Sequence, residues 1–252
     1  VCSSDYTSEK IDGPWKKQLI EGFYHDGSLL FDEDGRNYIV YGNDEIWITE
    51  LNEDLTAPKK DGLHRLLVSD HKNPELGYEG SHIQKINGYY YIFLVHSLRD
   101  RWMRTEACFY SDSLEGEFTG GDVLCDDRGY CGQGVAQGGI VDTPDGKWYA
   151  MLFQDSGAVG RIPILLPVTW KDHFPVFGQN GHVPEEIEVH STRPGYIYQP
   201  LVGSDDFCNG LLPRWQFNHD PDPRYYHLDA LQGTYTITTR EVCTELTQAD
   251  RK

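Results

Sequence analysis

The chain has 252 residues, 38% apolar and 13% aromatic, with a formal net charge of −18. A charge of that sign and size argues against a nucleic-acid partner and an anionic membrane surface, and fits a neutral substrate or plain solubility. No apolar run is long enough to span a membrane and no C-x-x-C pair occurs, so neither a membrane-spanning helix nor a thiolate zinc site is expected; the absence of a signal peptide means little in a chain that opens on Val rather than Met.

The 26 Gly and 16 Tyr favour strands and turns over helices. Val1-Cys2-Ser3-Ser4-Asp5, followed by Gly13-Pro14-Trp15, is similar to the later run Cys108–Phe118. The chain is therefore expected to open on the outer strand of a repeated unit. With Val rather than Met first, it reads as a fragment lacking that unit's inner strands. Three similar segments follow: S-L-L-F-D-E-D-G-R-N-Y-I-V-Y-G (28–42), I-Q-K-I-N-G-Y-Y-Y-I-F-L-V (83–95) and I-V-D-T-P-D-G-K-W-Y-A-M-L-F (140–153). Each is a strand, a turn closed by glycine (Gly35, Gly88, Gly146) and a strand led by Tyr or Trp. Asn87-Gly88 between two such runs is a strong hairpin signal. The turn glycines recur about every 50–60 residues, and a repeat of that size with several strands per unit marks a β-propeller.

Each unit continues into a further strand: Glu45–Leu51, Glu106–Gly116 and Arg161–Trp170. The aromatics Tyr89, Tyr90, Tyr91, Trp148 and Tyr149 are expected mostly in the core, with one or two available to line a sugar platform. The reading is all-β: residues 1–185 an incomplete propeller domain, 186–203 a linker, and 204–252 the start of a second, truncated β domain. In that last part Leu212–His219 and Gly233–Thr239 are strand-like. Cys125 and Cys131 are close enough for a small disulfide loop, and free thiols in a reducing compartment fit equally.

In a propeller the innermost strands converge on the central axis, so their first residues are where chemistry is expected. These are Tyr24-His25-Asp26-Gly27-Ser28, Tyr78-Glu79-Gly80-Ser81-His82 and Val135-Ala136-Gln137-Gly138-Gly139. Asp26 and Glu79 are separated by the same interval as Gly35 and Gly88, so both carboxylates can face one pocket. Two carboxylates in one cleft suit glycoside hydrolysis, because one must be held protonated to give its proton to a leaving oxygen. The same spacing also fits two acids that only cap turns. Asp32-Glu33-Asp34-Gly35 lacks the later Glu of a calcium loop and reads as a hairpin turn. Gly132-Gln133-Gly134 has no dinucleotide spacing, and the ten histidines show no H-E-x-x-H pattern.

At these residues the sequence resembles glycoside hydrolase family 43, a family of five-bladed propellers that includes β-xylosidases and α-L-arabinofuranosidases. The resemblance rests on H-D-G-S-L-L-F-D-E-D-G-R-N-Y-I-V-Y-G (25–42), E-G-S-H-I-Q-K-I-N-G-Y-Y-Y (79–91), Q-G-G-I-V-D-T-P-D-G-K-W-Y (137–149) and G-A-V-G-R-I-P-I-L-L-P-V-T-W (157–170). It covers residues 1–185; beyond them W-Q-F-N-H-D-P (215–221) resembles the start of the C-terminal β-sandwich of the xylosidase branches. Gly27 and Ser81 stand where relatives usually carry Pro, a departure expected to loosen those turns.

The resemblance implies an inverting, exo-acting hydrolase of xylose- or arabinose-containing oligosaccharides. Glu79 would be the general acid, and Asp26 the residue that orients it and tunes its pKa. Arg161 would contact the sugar, with His25, His82 and Gln137 also lining its subsite. The general base, an Asp, has no counterpart here and is expected upstream of Val1. No cofactor is implied; an axial calcium ion is put in question by Gln137, which stands where many relatives carry His. The alternative is a carbohydrate-binding propeller without turnover, since the base is missing; a propeller serving protein contacts is a third reading.

Overall fold

The computed structural model describes residues 2–189, 193, 195–197, 202–212, 215 and 222–239. The chain divides into two compact units, Val1–Glu188 and Val189–Lys252.

In the first unit β1 (Cys2–Thr7) and β2 (Lys16–Tyr24) pair antiparallel as a two-stranded sheet. Three four-stranded antiparallel sheets follow. The first contains β3 (Ser28–Phe31), β4 (Asn37–Asn43), β5 (Glu45–Leu51) and β6 (His64–Ser69). The second contains β7 (Glu79–Ile86), β8 (Tyr89–Ser97), β9 (Arg104–Ser111) and β10 (Thr119–Leu124). The third contains β11 (Ala136–Asp142), β12 (Trp148–Asp155), β13 (Arg161–Lys171) and β14 (Phe174–Phe177). In each sheet spatial order equals chain order, which is the blade of a propeller. One sequence repeat is thus one blade. The outermost strands β6, β10 and β14 went unread in the sequence because they are short and only partly buried, without a long apolar run.

The inner hairpin of the second blade forms where Asn87 and Gly88 both take left-handed φ, +50° and +85°. Two such residues in a row are what a tight two-residue hairpin requires.

The blades pack face to face. Leu30, Tyr38, Val40, Ile46 and Ile48 of the first blade share a core with Ile83, Tyr90, Ile92 and Leu94 of the second. On the other face of the second blade, Tyr91, Phe93 and Cys108 join Ile140, Leu152, Leu166 and Phe177 of the third. β8 is therefore buried on both faces, which explains its continuous rather than alternating apolar run. Each such side chain contributes about 1.5–3 kcal/mol on burial. Ile20 and Tyr24 of β2 pack on Ile39 and Leu51 of the first blade.

Asp32 is used between blades: it accepts from Lys85 Nζ at 2.6 Å and Tyr90 Oη at 2.5 Å. In the described part of the second unit, β15 (Tyr226–Asp229) pairs with β16 (Thr234–Ile237). Phe207, Trp215 and Tyr226 gather around Tyr235. Most of the strand expected over 212–219 lies outside the described residues. Among the described residues, Cys108, Cys125, Cys131 and Cys208 are free thiols, and no helix is long and apolar enough to cross a membrane.

Candidate active site

The first residues of β3, β7 and β11 come together, and each approach carries one left-handed residue: Asp26 (φ +47°), Gly80 (+65°) and Gln137 (+69°). β7 has a bulge between Glu79 and His82, and β11 has one between Ala136 and Gly139. Bulges re-aim side chains and are common beside active sites. The backbone refines the spacing argument. Asp26 is conformationally matched by Gly80, so Glu79 stands one position earlier in its blade. The carboxylates meet because the bulge turns Glu79 towards the first blade.

His25 is the point of convergence. Its Nε2 lies 3.6 Å from Asp26 Oδ2 and 3.6 Å from Glu79 Oε2. Ligand-type atoms of the three residues lie within 4.8 Å of one another. Those separations exceed a hydrogen bond, so the coupling is electrostatic. Glu79 also accepts from Asn43 Nδ2 at 3.0 Å, reaching over from the last residue of β4. Ser81 does not loosen its turn. Its buried hydroxyl lies 2.8 Å from the Asp26 carbonyl and 2.9 Å from that of Val40, a cross-blade tie that a proline could not make. His82 faces the third blade, next to Gly139. Desolvation lowers the pKa of its imidazole, with Asp26 pulling in the opposite direction.

A second cluster stands on the third-blade side. Arg104, 4% exposed, and Arg161, 64% exposed, both ion-pair with Asp155, at 3.1 and 3.3 Å. Both guanidiniums lie over the ring of Phe153, with Cζ 4.6 and 4.5 Å from its centroid. Burial lowers the Arg104 pKa, against the pull of Asp155, Glu106 and Glu79. Arg104 Nη2 donates to Gln137 Oε1 at 3.4 Å, and the Gln137 N–H donates to Glu106 Oε2 at 2.6 Å. The two clusters join at Gly80, where an added Cβ would stand 2.6 Å from Gln137 Nε2. Thus His25, Asp26 and Glu79 are brought together and Gln137 packs beside them, while Arg161 stands with Arg104, Phe153 and Asp155.

For a cation, the surroundings of Gln137 do not fit. Its side-chain oxygen is occupied by a buried guanidinium, which repels a second positive charge. No step is routed through calcium.

Sequence reasoning passed over Asn43, Arg104, Phe153, Asp155 and Glu106 because it looked only at the start of each innermost strand. In a meander the end of the second strand and the start of the third lie at that same end of the blade. Asn43 ends β4, Arg104 opens β9 and Asp155 ends β12. Applying the rule to those ends as well would have found Asn43, Arg104 and Asp155, whereas Phe153 and Glu106 lie two residues further into their strands.

The sequence profile described as glycosyl hydrolases family 43 matches residues 5–175. A β-xylosidase of Formosa agariphila is 26% identical over 276 residues, covering 94% of this chain and 45% of that protein. A non-reducing end α-L-arabinofuranosidase of Bacteroides ovatus is 24% identical over 248 residues, covering 92% and 45%. Among solved structures, a bifunctional GH43-CE protein of Bacteroides eggerthii is 41% identical with a TM-score of 0.80, covering 97% of this chain and 32% of that one. The chain spans less than half the length of these relatives. With the profile match running through all three four-stranded blades and both residue clusters, the chain belongs to glycosyl hydrolases family 43.

Proposed function

We propose that this chain is part of an inverting, exo-acting glycosidase that removes xylose or arabinose from oligosaccharides, with Glu79 as general acid. The observation that carries the reading is the seating of Glu79: one oxygen is fixed by Asn43 and faces the His25–Asp26 pair. The exposed guanidinium of Arg161 supplies hydrogen-bond donors of the kind that hold sugar hydroxyls. In the step proposed, water attacks the anomeric carbon and the glycosidic C–O bond breaks. The Glu79 proton passes to the leaving oxygen. A proton of the water passes to a base carboxylate about 6.5–9.5 Å from the acid. Asp26 orients the acid through His25 and does not attack. No residue of this chain is assigned as the base. The β-xylosidase and arabinofuranosidase relatives support the substrate class.

The test is Glu79→Gln in the intact enzyme. Activity on xylobiose, a poor leaving group, should fall by about 10²–10⁴-fold, the usual share of general acid catalysis, and activity on a nitrophenyl xyloside should fall far less. Equal loss on both removes Glu79 as the acid. Sugar binding without turnover in the intact parent protein would favour a non-catalytic propeller instead.

A further inference from the structure

Glu106 lies on β9 with no solvent exposure at all. Burying a carboxyl is costly, and an apolar side chain would fill the same space without that cost. Its position in the sheet is informative. Val95 of β8 pairs with Glu79 on one side and with Glu106 on the other, so acid and buried carboxyl flank one strand. Glu106 is aimed the other way, at the third blade. There the bulge in β11 bends the backbone at Gln137 into the left-handed region, which a residue with a Cβ adopts only under constraint. The N–H of Gln137 needs a partner there, and Glu106 Oε2 accepts it at 2.6 Å. The Glu106 Oε1 is buried without a hydrogen-bond partner. The carboxyl therefore has one hydrogen-bonding task, and that task is the Gln137 backbone.

Gln137 passes the constraint on. Its amide fills the space where Gly80 lacks a Cβ, touching the residue that follows Glu79. Arg104, two residues before Glu106 on the same strand, holds the far end of that amide.

We infer that Glu106 is a positioning residue for the general acid: its buried carboxyl fixes the bulged backbone of Gln137, whose side chain braces Gly80 and thereby sets the direction of Glu79. The inference rests on Glu79 being the acid. Desolvation raises the Glu106 pKa well above the carboxylate range, opposed by the Gln137 N–H and the Arg104 charge. The contact asks only for an acceptor oxygen opposite the Gln137 N–H, and a glutamine side-chain oxygen can supply one.

The experiment compares Glu106→Gln and Glu106→Met in the intact enzyme, on xylobiose and on a nitrophenyl xyloside. Glu106→Met should lower kcat/KM on xylobiose by about 10- to 100-fold, the usual penalty for a misplaced catalytic group, and on the aryl substrate clearly less. Glu106→Gln should stay near the parent on both. A purely structural role would depress both substrates alike and would not be rescued by Gln. Equal losses on the two substrates, or a Gln variant as poor as Met, overturn the inference. If Glu106→Met does not fold by circular dichroism, Gln137→Gly takes its place: it removes the brace and tolerates the left-handed φ. It must show the same leaving-group bias, and an unbiased Gln137→Gly overturns the inference. Glu79→Gln run beside them separates the two failures. A leaving-group bias in Glu79→Gln without one in Glu106→Met sinks only Glu106, whereas no bias in Glu79→Gln sinks the acid assignment first.

Discussion

Asn43 Nδ2 donates to Glu79 Oε2 at 3.0 Å, from the last residue of one blade's second strand to the first residue of the next blade's innermost strand. A hydrogen bond to a charged group contributes roughly 1.5–3 kcal/mol, so Asn43→Ala should cost about 10- to 100-fold in kcat/KM if the bond persists in the transition state. Steady-state kinetics of the intact enzyme checks this, and a parent-like value removes Asn43 from the site.

Gly80 and Gly88 make a controlled pair. Both have φ beyond +60°, but an added Cβ meets Gln137 at 2.6 Å in the first and open space in the second. Gly88→Ala should lower stability by about 1–2 kcal/mol, the usual cost of a left-handed L-residue, and leave kcat intact. Gly80→Ala should lose stability at least as much and also lose activity. Chemical denaturation and kinetics measured on the same samples read both, and a fully active Gly80→Ala would contradict the brace between Gln137 and Gly80.

The Phe153 ring makes a cation–π contact with both the Arg104 and the Arg161 guanidinium. Cation–π contacts of this kind contribute about 0.5–2 kcal/mol, so Phe153→Leu should raise KM by about 3- to 30-fold, with a smaller change in kcat. That split is expected for a group that holds a binding residue rather than the reacting atoms. A change confined to kcat would place Arg161 elsewhere in the mechanism.

His96 gives a pH-dependent contribution to stability. Its Nε2 stands 2.8 Å from Asp122 Oδ1 and its Nδ1 3.3 Å from Asp70 Oδ2. The Tyr78 ring packs against it, and Arg99 pairs with Asp70. Desolvation lowers the His96 pKa, but the Asp122 and Asp70 carboxylates outweigh it, and the net shift is upward. A folded-state pKa above the unfolded value of about 6.5 means the contribution is full below pH about 6.5 and is lost as pH rises through the folded value. Urea midpoints across that window should fall with rising pH in the parent and fall less in Asp122→Asn. Identical slopes would show that the pair does not titrate in this way.

The propeller was legible because its blades repeat: turn glycines at similar intervals and doubly apolar inner strands are local signals. The convergence of Asp26 and Glu79 was legible for the same reason. What spacing could not give was the bulge, which shifts Glu79 by one position relative to Asp26 while keeping it in the pocket. Nor could it show Glu106, which looks like an ordinary polar residue of a strand until the neighbouring blade is in place. Ser81 makes the same point: against the proline pattern it looked like a loosened turn, and only the carbonyls of Asp26 and Val40 reveal it as a tie.

The blades interlock at the site as well as in the core. Glu79 belongs to one blade, Asn43, His25 and Asp26 come from the sheet before it, and Gln137 comes from the sheet after it. Sliding any blade by a single residue against its neighbours would leave every sheet internally intact and still dismantle the pocket. The cluster is thus a gauge of assembly: its contacts exist only when neighbouring blades are in step, a condition that strand content measured by spectroscopy does not sense. Transplanting a single blade into a foreign propeller would carry Glu79 across without Asn43, His25, Asp26 and Gln137, so this cluster cannot be moved in fewer than three consecutive blades.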